Sequence, residues 1–161
     1  MSDDDSLISE LLNKIPGYGG YRTASKLRDD DRVARKFVAQ RLGDCASSLD
    51  RFAAEAVKRL QLDVVAEVEK VREEVSRAQQ RVASAIEGYS SFWESGGADD
   101  DAIEKAIEID HSLVSTIDQI DSAAQACTKS PAQWNMQQFQ DWTSHLHSRI
   151  DQRSELLDGH N

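Results

Sequence analysis

Proline is almost missing from this chain: Pro16 and Pro131 are the only two in 161 residues. Neither proline nor glycine interrupts the stretch between Gly43 and Gly88. Breakers this rare permit long helices. Cysteine is scarce too. Cys45 and Cys127 lie far apart, which excludes a disulfide framework and suits a reducing cytoplasm. Apolar runs span only a few residues, so no segment can cross a membrane as a helix. Met1 to Asp5 is acidic with no apolar core, so no secretory signal is expected there.

Basic charge is in deficit, with a net charge of −10, which argues against a nucleic-acid ligand. The deficit is uneven. Residues 22–62 carry ten basic and six acidic side chains, whereas residues 95–130 carry two and eight. Aromatics make up 6% of the chain, hydrophobic residues 39% and charged residues 30%. That balance describes one globular, highly charged domain over 1–161.

The apolar residues that remain recur with helical spacing. Leu7, Ile8, Leu11, Leu12 and Ile15 mark a short amphipathic helix over 6–15, stopped by Pro16. Residues 16–22 form a loop of proline, glycine and tyrosine, and Thr23 can cap the next helix. From Val38 a seam runs through Leu42, Cys45, Leu49, Phe52, Ala56 and Leu60. It resumes at Val64 and continues through Val68, Val71, Val75, Ala78, Val82, Ala85, Tyr89 and Trp93. Steps of three and four sustained this long predict coiled-coil-like packing. One continuous rod would leave the seam unburied. The better reading is a hairpin of helices 23–61 and 63–94, turning near Leu60 to Asp63.

Ser95-Gly96-Gly97-Ala98 reads as a loop. A helix over 99–128 follows, with Asp101 and Glu104 at capping-box spacing. Its seam is Ile103, Ala106, Asp110, Leu113, Ile117, Ile120, Ala124 and Cys127, where Asp110 is the polar member that could set register. Ser130, Pro131 and Gln133 predict a second start, for a helix over 131–158 carrying Phe139, Trp142, Leu146, Ile150 and Leu157. The expected fold is all-α: an elongated antiparallel four-helix bundle of two hairpins with a short N-terminal helix.

That register sets the tyrosine loop beside Gly88 to Trp93. Tyr18, Tyr21, Tyr89, Phe92 and Trp93 are then expected at one end of the bundle, as a plug over the seam or as a recognition surface. Here the chain also resembles a known group. Ile15-Pro16-Gly17-Tyr18-x-Gly20-Tyr21, Gly88-Tyr89-Ser90-x-Phe92 and Ile107-x-Ile109-Asp110 look like motifs of uncharacterised bacterial helical proteins, over roughly residues 11–117. The chain departs at Gly19, where the group suggests a polar or basic residue, and at Trp93, where it suggests Phe. The resemblance implies a small cytoplasmic helical protein and brings no catalytic residues.

Other constellations are sparse. Arg28, Arg32 and Arg35 share a helical face that could meet phosphate, an anionic lipid surface or an acidic partner, or could pair with Asp29 to Asp31. Glu108 and His111 form one Glu-x-x-His step, and register brings His145 and His147 to similar height. A di-metal bundle needs two such steps and further inward carboxylates, so this set is the weaker alternative and no cofactor is expected. The glycines of the loop follow no strand and precede no Gly-Lys-Ser/Thr, which excludes a nucleotide loop. The functional expectation is a non-catalytic interaction or scaffold module, not an enzyme. It would bind another protein or a second copy of itself, as a homodimer for example. Its contact surface would comprise Tyr18, Tyr21, Tyr89, Phe92 and Trp93 with Arg28, Arg32 and Arg35. A metal-binding bundle and an anionic-surface binder are the alternatives.

Overall fold

A computed structural model describes residues 3–84 and 99–158. Among them are five α-helices and no strand. Helix α1 spans Asp3–Lys14, α2 Leu27–Lys58, α3 Leu62–Ala83, α4 Asp100–Lys129 and α5 Met136–Asp158. Short 3-10 turns at Ala24–Lys26 and Pro131–Gln133 lead into α2 and α5.

The seam turns at Arg59 to Gln61 and forms a hairpin. The Gln61 amide donates to the Ala56 carbonyl and the Leu60 amide to the Val57 carbonyl, with Leu60 at φ +56°. This is the hydrogen-bond pattern of a Schellman ending, in which the left-handed residue is usually glycine. A leucine there explains why no breaker marks the turn in the sequence. The Arg72 guanidinium reaching Asp50 at 2.9 Å and Gln79 reaching the Ala39 carbonyl at 3.0 Å align α2 and α3 antiparallel.

The helix starts differ from the expected caps. Asp99, not Asp101, caps α4 by accepting the Ala102 amide at 2.8 Å. The Thr23 side chain makes no cap hydrogen bond. Ser130 precedes only the 3-10 turn, and α5 begins after Asn135, whose side chain accepts the Gln138 amide at 3.2 Å. In the last case Trp134 takes an extended conformation that breaks the helix its Ser-Pro start announces.

Around the bundle the order is α2, α3, α5, α4. Cys45 beside Ile117 and Ser48 beside Asp121 align α2 and α4 parallel. Glu67 beside Trp134 and Arg81 beside Asp151 do the same for α3 and α5. Helices α3 and α4, joined through residues 84–99, therefore sit on a diagonal. The core runs from Leu27 through Val38, Leu42, Leu49 and Phe52 on α2, with Val68, Val71 and Val75 from α3. Ile109, Leu113, Ile117 and Ile120 of α4 and Phe139, Leu146 and Ile150 of α5 complete it. Near the hairpin turn Phe52, Trp134, Phe139 and Trp142 pack in series, with Trp134 stacked 4.4 Å from Phe139. Helix α1 packs on α4, with its Leu11 and the following Ile15 both fully buried.

Candidate functional site

The opening loop is built around a carboxylate. Asp30 accepts the Gly19 amide at 2.8 Å and the Tyr21 amide at 3.0 Å. A Cβ on Gly19 would lie 2.8 Å from an Asp30 oxygen, so glycine is what lets the backbone close on the carboxylate. Tyr21 adopts φ +58°, a conformation costly for a large side chain, and its two polar ends are both held. Its hydroxyl donates to Asp110 at 3.0 Å.

Behind Tyr21 lies a buried ionic cluster from three helices. Arg153 of α5 donates to Asp110 of α4 at 2.9 Å and to Asp31 of α2 at 2.6 Å. Arg35 caps the outer oxygen of Asp31 at 3.0 Å. Asp31, Asp110 and Arg153 are all buried. Burial pushes the Asp110 carboxyl above the ordinary range, against the pull of Arg153 and Tyr21. Burial likewise works against the charge on Arg153, but Asp110 and Asp31 more than restore it. The Tyr21 and Tyr18 hydroxyls are held protonated, chiefly by burial with Asp110 adding to it. Among the described residues the buried Tyr18 hydroxyl has no hydrogen-bond partner. This geometry joins the loop, α2, α4 and α5 and offers no exposed reactive group.

The cluster corrects part of the expected contact surface. Tyr18 is 5% and Tyr21 4% exposed, so neither can supply contact area to a partner. They pack edge to face, 5.7 Å apart, as core residues. Tyr89, Phe92 and Trp93 lie outside the described residues. The arginine face is partly engaged, with Arg32 left exposed. Arg35 is committed to Asp31, and Arg32 lies 3.7 Å from Asp29. Arg28 is half-buried and partnered.

The metal alternative does not assemble. His111 bonds Glu10 of α1 at 2.6 Å, and His145 bonds Ser112 at 2.9 Å. His147 faces α3, against Glu74 and Arg81. Glu108 pairs loosely with Lys105 at 3.8 Å. Glu108, His111 and His145 do line one open groove with Trp142, but no group able to hold a metal forms among the described residues. Helical rotation is the reason: His145 and His147, two residues apart, point to different neighbours. Ser112 and His145 share the groove with Arg149, which also donates to the Ser112 hydroxyl at 3.1 Å. Ser112 lies in mid-helix, without the turn that exposes a nucleophile. Cys45 gives its thiol to the Ile117 carbonyl, and burial with Asp121 nearby pushes it up to about 12.

The surface feature that sequence reasoning missed is at the opposite end. Among the described residues the exposed large apolar side chains are Val57, Leu60 and Leu62, at 49%, 82% and 65%. Leu60 sits on the hairpin turn and Val57 and Leu62 flank it at the end of α2 and the start of α3, with Lys58 and Arg59 between Val57 and Leu60. A seam position at Leu60 reads as core in the sequence, and only the Schellman turn throws it outward. Comparison with protein-family models, curated proteins and solved structures finds no match.

Proposed function

We propose that this chain is a non-catalytic helical interaction module whose contact surface is the tip of the α2–α3 hairpin. The observation that carries this reading is the clustering of Val57, Leu60 and Leu62 in solvent at one end of the bundle. In this reading the buried ionic cluster takes no part in binding, since its charges are engaged with one another. Three side chains expose on the order of 300 Å² here, against roughly 800 Å² per partner in a standard protein interface. A stable tip-to-tip homodimer is therefore disfavoured, and the tip suits insertion into something that surrounds it. Two buried, reduced cysteines support a cytoplasmic setting. The motif resemblance supports kinship with uncharacterised bacterial helical proteins.

A photo-crosslinking residue tests the tip. In the full-length chain it replaces Gln61 at the tip or Lys105 on α4, with soluble extract and membranes of the source cells both supplied. Labelling concentrated at position 61 is expected. Equal labelling from both positions would overturn the reading.

A further inference from the structure

We propose that the groove between α1 and α5 binds a small molecule bearing a carboxylate, received by Arg149, and a planar apolar group, received by Trp142. The site shares no residue with the hairpin tip and stands or falls without it. Helix α4 forms the floor, Leu7 of α1 one wall, and Trp142, His145 and Arg149 of α5 the other. The floor is low, because Ser112, Ser115 and Thr116 bring only short side chains to it. The groove's volume is about 560 Å³, within the roughly 300–1,000 Å³ of small-molecule sites.

The guanidinium of Arg149 carries the assignment. In this acidic chain the other arginines taken out of water find carboxylates: Arg35 and Arg153 hold Asp31, Arg41 holds Asp118 and Arg81 holds Asp151. Arg149 is half-buried too, yet it holds two neutral oxygens. Its Nε donates to the Ser112 hydroxyl at 3.1 Å and its Nη1 to the Gln152 amide oxygen at 2.8 Å. Among the described residues no carboxylate pairs with it, and its Nη2 has no partner. A cation taken partly out of water without a counter-charge is unfavourable, and a ligand carboxylate supplies that charge. The planar fork matches the two oxygens of a carboxylate. Ser112 also bonds His145 at 2.9 Å, so the fork is braced before a ligand arrives.

Charge narrows the ligand. His111 is engaged by Glu10 at 2.6 Å, which leaves Arg149 as the permanent cation of the groove. Glu108 lines the same groove. One unpaired guanidinium with a carboxylate nearby suits a monoanion and disfavours a phosphate dianion. Trp142 lies two helical turns before Arg149 on the same wall, about 10 Å along the axis. Its half-buried ring is held edge to face by Phe139, which fixes it for contact with a flat apolar group. The groove between α3 and α5 is a contrast: Glu73, Glu74, Asp141 and Asp151 line it with Lys70, a balance that disfavours the same ligand.

The test is a titration of the full chain with phenylbutyrate, followed by NMR at the Trp142 indole N–H and the Arg149 Nε–H. Saturable shifts at both signals are expected in the millimolar range, with none along the α3–α5 groove. The corresponding alcohol, which lacks the charge, should bind the wild type about tenfold more weakly, and phenylbutyrate should bind Arg149→Gln about tenfold more weakly. Glu108→Gln should bind phenylbutyrate several-fold more tightly. No saturable shift at Arg149 would overturn the proposal, as would equal binding of the alcohol or undiminished binding by a folded Arg149→Gln. If that variant does not fold, unchanged affinity in Glu108→Gln overturns it instead. Tighter binding of phenyl phosphate than of phenylbutyrate would also overturn it, since the site would then select a dianion.

Discussion

Tyr18→Phe and Tyr21→Phe each remove one hydroxyl and leave the ring, yet they should move stability in opposite directions. The two rings touch edge to face and both are buried, so the apolar contact is retained in each variant. The Tyr18 hydroxyl is buried without a hydrogen-bond partner among the described residues, and such a group costs roughly 1–3 kcal/mol in mutational series. Its removal should stabilise the protein by about 1 kcal/mol, the lower end of that range. The Tyr21 hydroxyl donates to Asp110, a carboxylate with no exposed surface to turn to. A hydrogen bond to a charged group is worth about 1.5–3 kcal/mol, so Tyr21→Phe should lose about 2 kcal/mol. For a domain of this size about 1 kcal/mol shifts the melting temperature by 2–4 °C. Tyr18→Phe should then melt about 2–4 °C higher and Tyr21→Phe about 4–8 °C lower. Urea titration should move the midpoints correspondingly at unchanged m. A loss of stability in Tyr18→Phe comparable to that in Tyr21→Phe would refute the reasoning, because it would require a partner for the Tyr18 hydroxyl.

Three further predictions concern the buried charges. Arg153→Met leaves Asp31 and Asp110 without their shared cation and should cost about 3–5 kcal/mol, measured by urea unfolding. Gly19→Ala forces Asp30 away from the loop amides and should cost about 1–3 kcal/mol, with faster hydrogen exchange at Gly19 and Tyr21. Burial raises the Asp121 carboxyl, but hydrogen bonds from Ser48, Gln125 and Arg41 outweigh it and hold the group below the ordinary carboxylate range. The folded state therefore takes up this proton less readily than the unfolded chain. The resulting stabilisation is full above the ordinary carboxylate range and is lost as pH falls through the lowered value. Asp121→Asn should be less stable at neutral pH and lose less on acidification, and equal acid slopes for the two proteins would contradict this.

Much of the cluster was legible in principle. Asp31, Ala34 and Val38 are spaced by three and four, as are Ala106, Asp110 and Leu113, and Ile150, Arg153 and Leu157. Three seam positions on three helices thus carry charges of both signs. Of these only Asp110 stands out in the sequence as a polar seam member, because Asp29 to Asp31 read as partners of the arginine face and nothing local singles out Arg153. Spacing tells which face a charge occupies but not which opposite charge meets it. Arg153 lies 122 residues from Asp31, and only packing brings them together. The same limit hid the tip, since Leu60 continues the seam until the backbone turns beneath it. The caps were misplaced for a local reason: Asp99, Asp100 and Asp101 are chemically equivalent caps, and the helix takes the first.

The order of apolar residues by itself determined an all-helical chain, because steps of three and four bury a continuous face only in a helix that packs on others. It also favoured a seam that folds back, since an unpaired rod leaves that face in water, but the turn itself was decided only in the structure. Tertiary structure decided the rest. It set α2 beside α4 and α3 beside α5 in parallel, leaving α3 and α4 diagonal. It drew Tyr18 and Tyr21 into the core and left Leu60 outside. Both outcomes depend on which faces meet. That is set by the joint burial of side chains from four helices and by the pairing of Arg153 with Asp31 and Asp110, neither of which the period of a single helix contains.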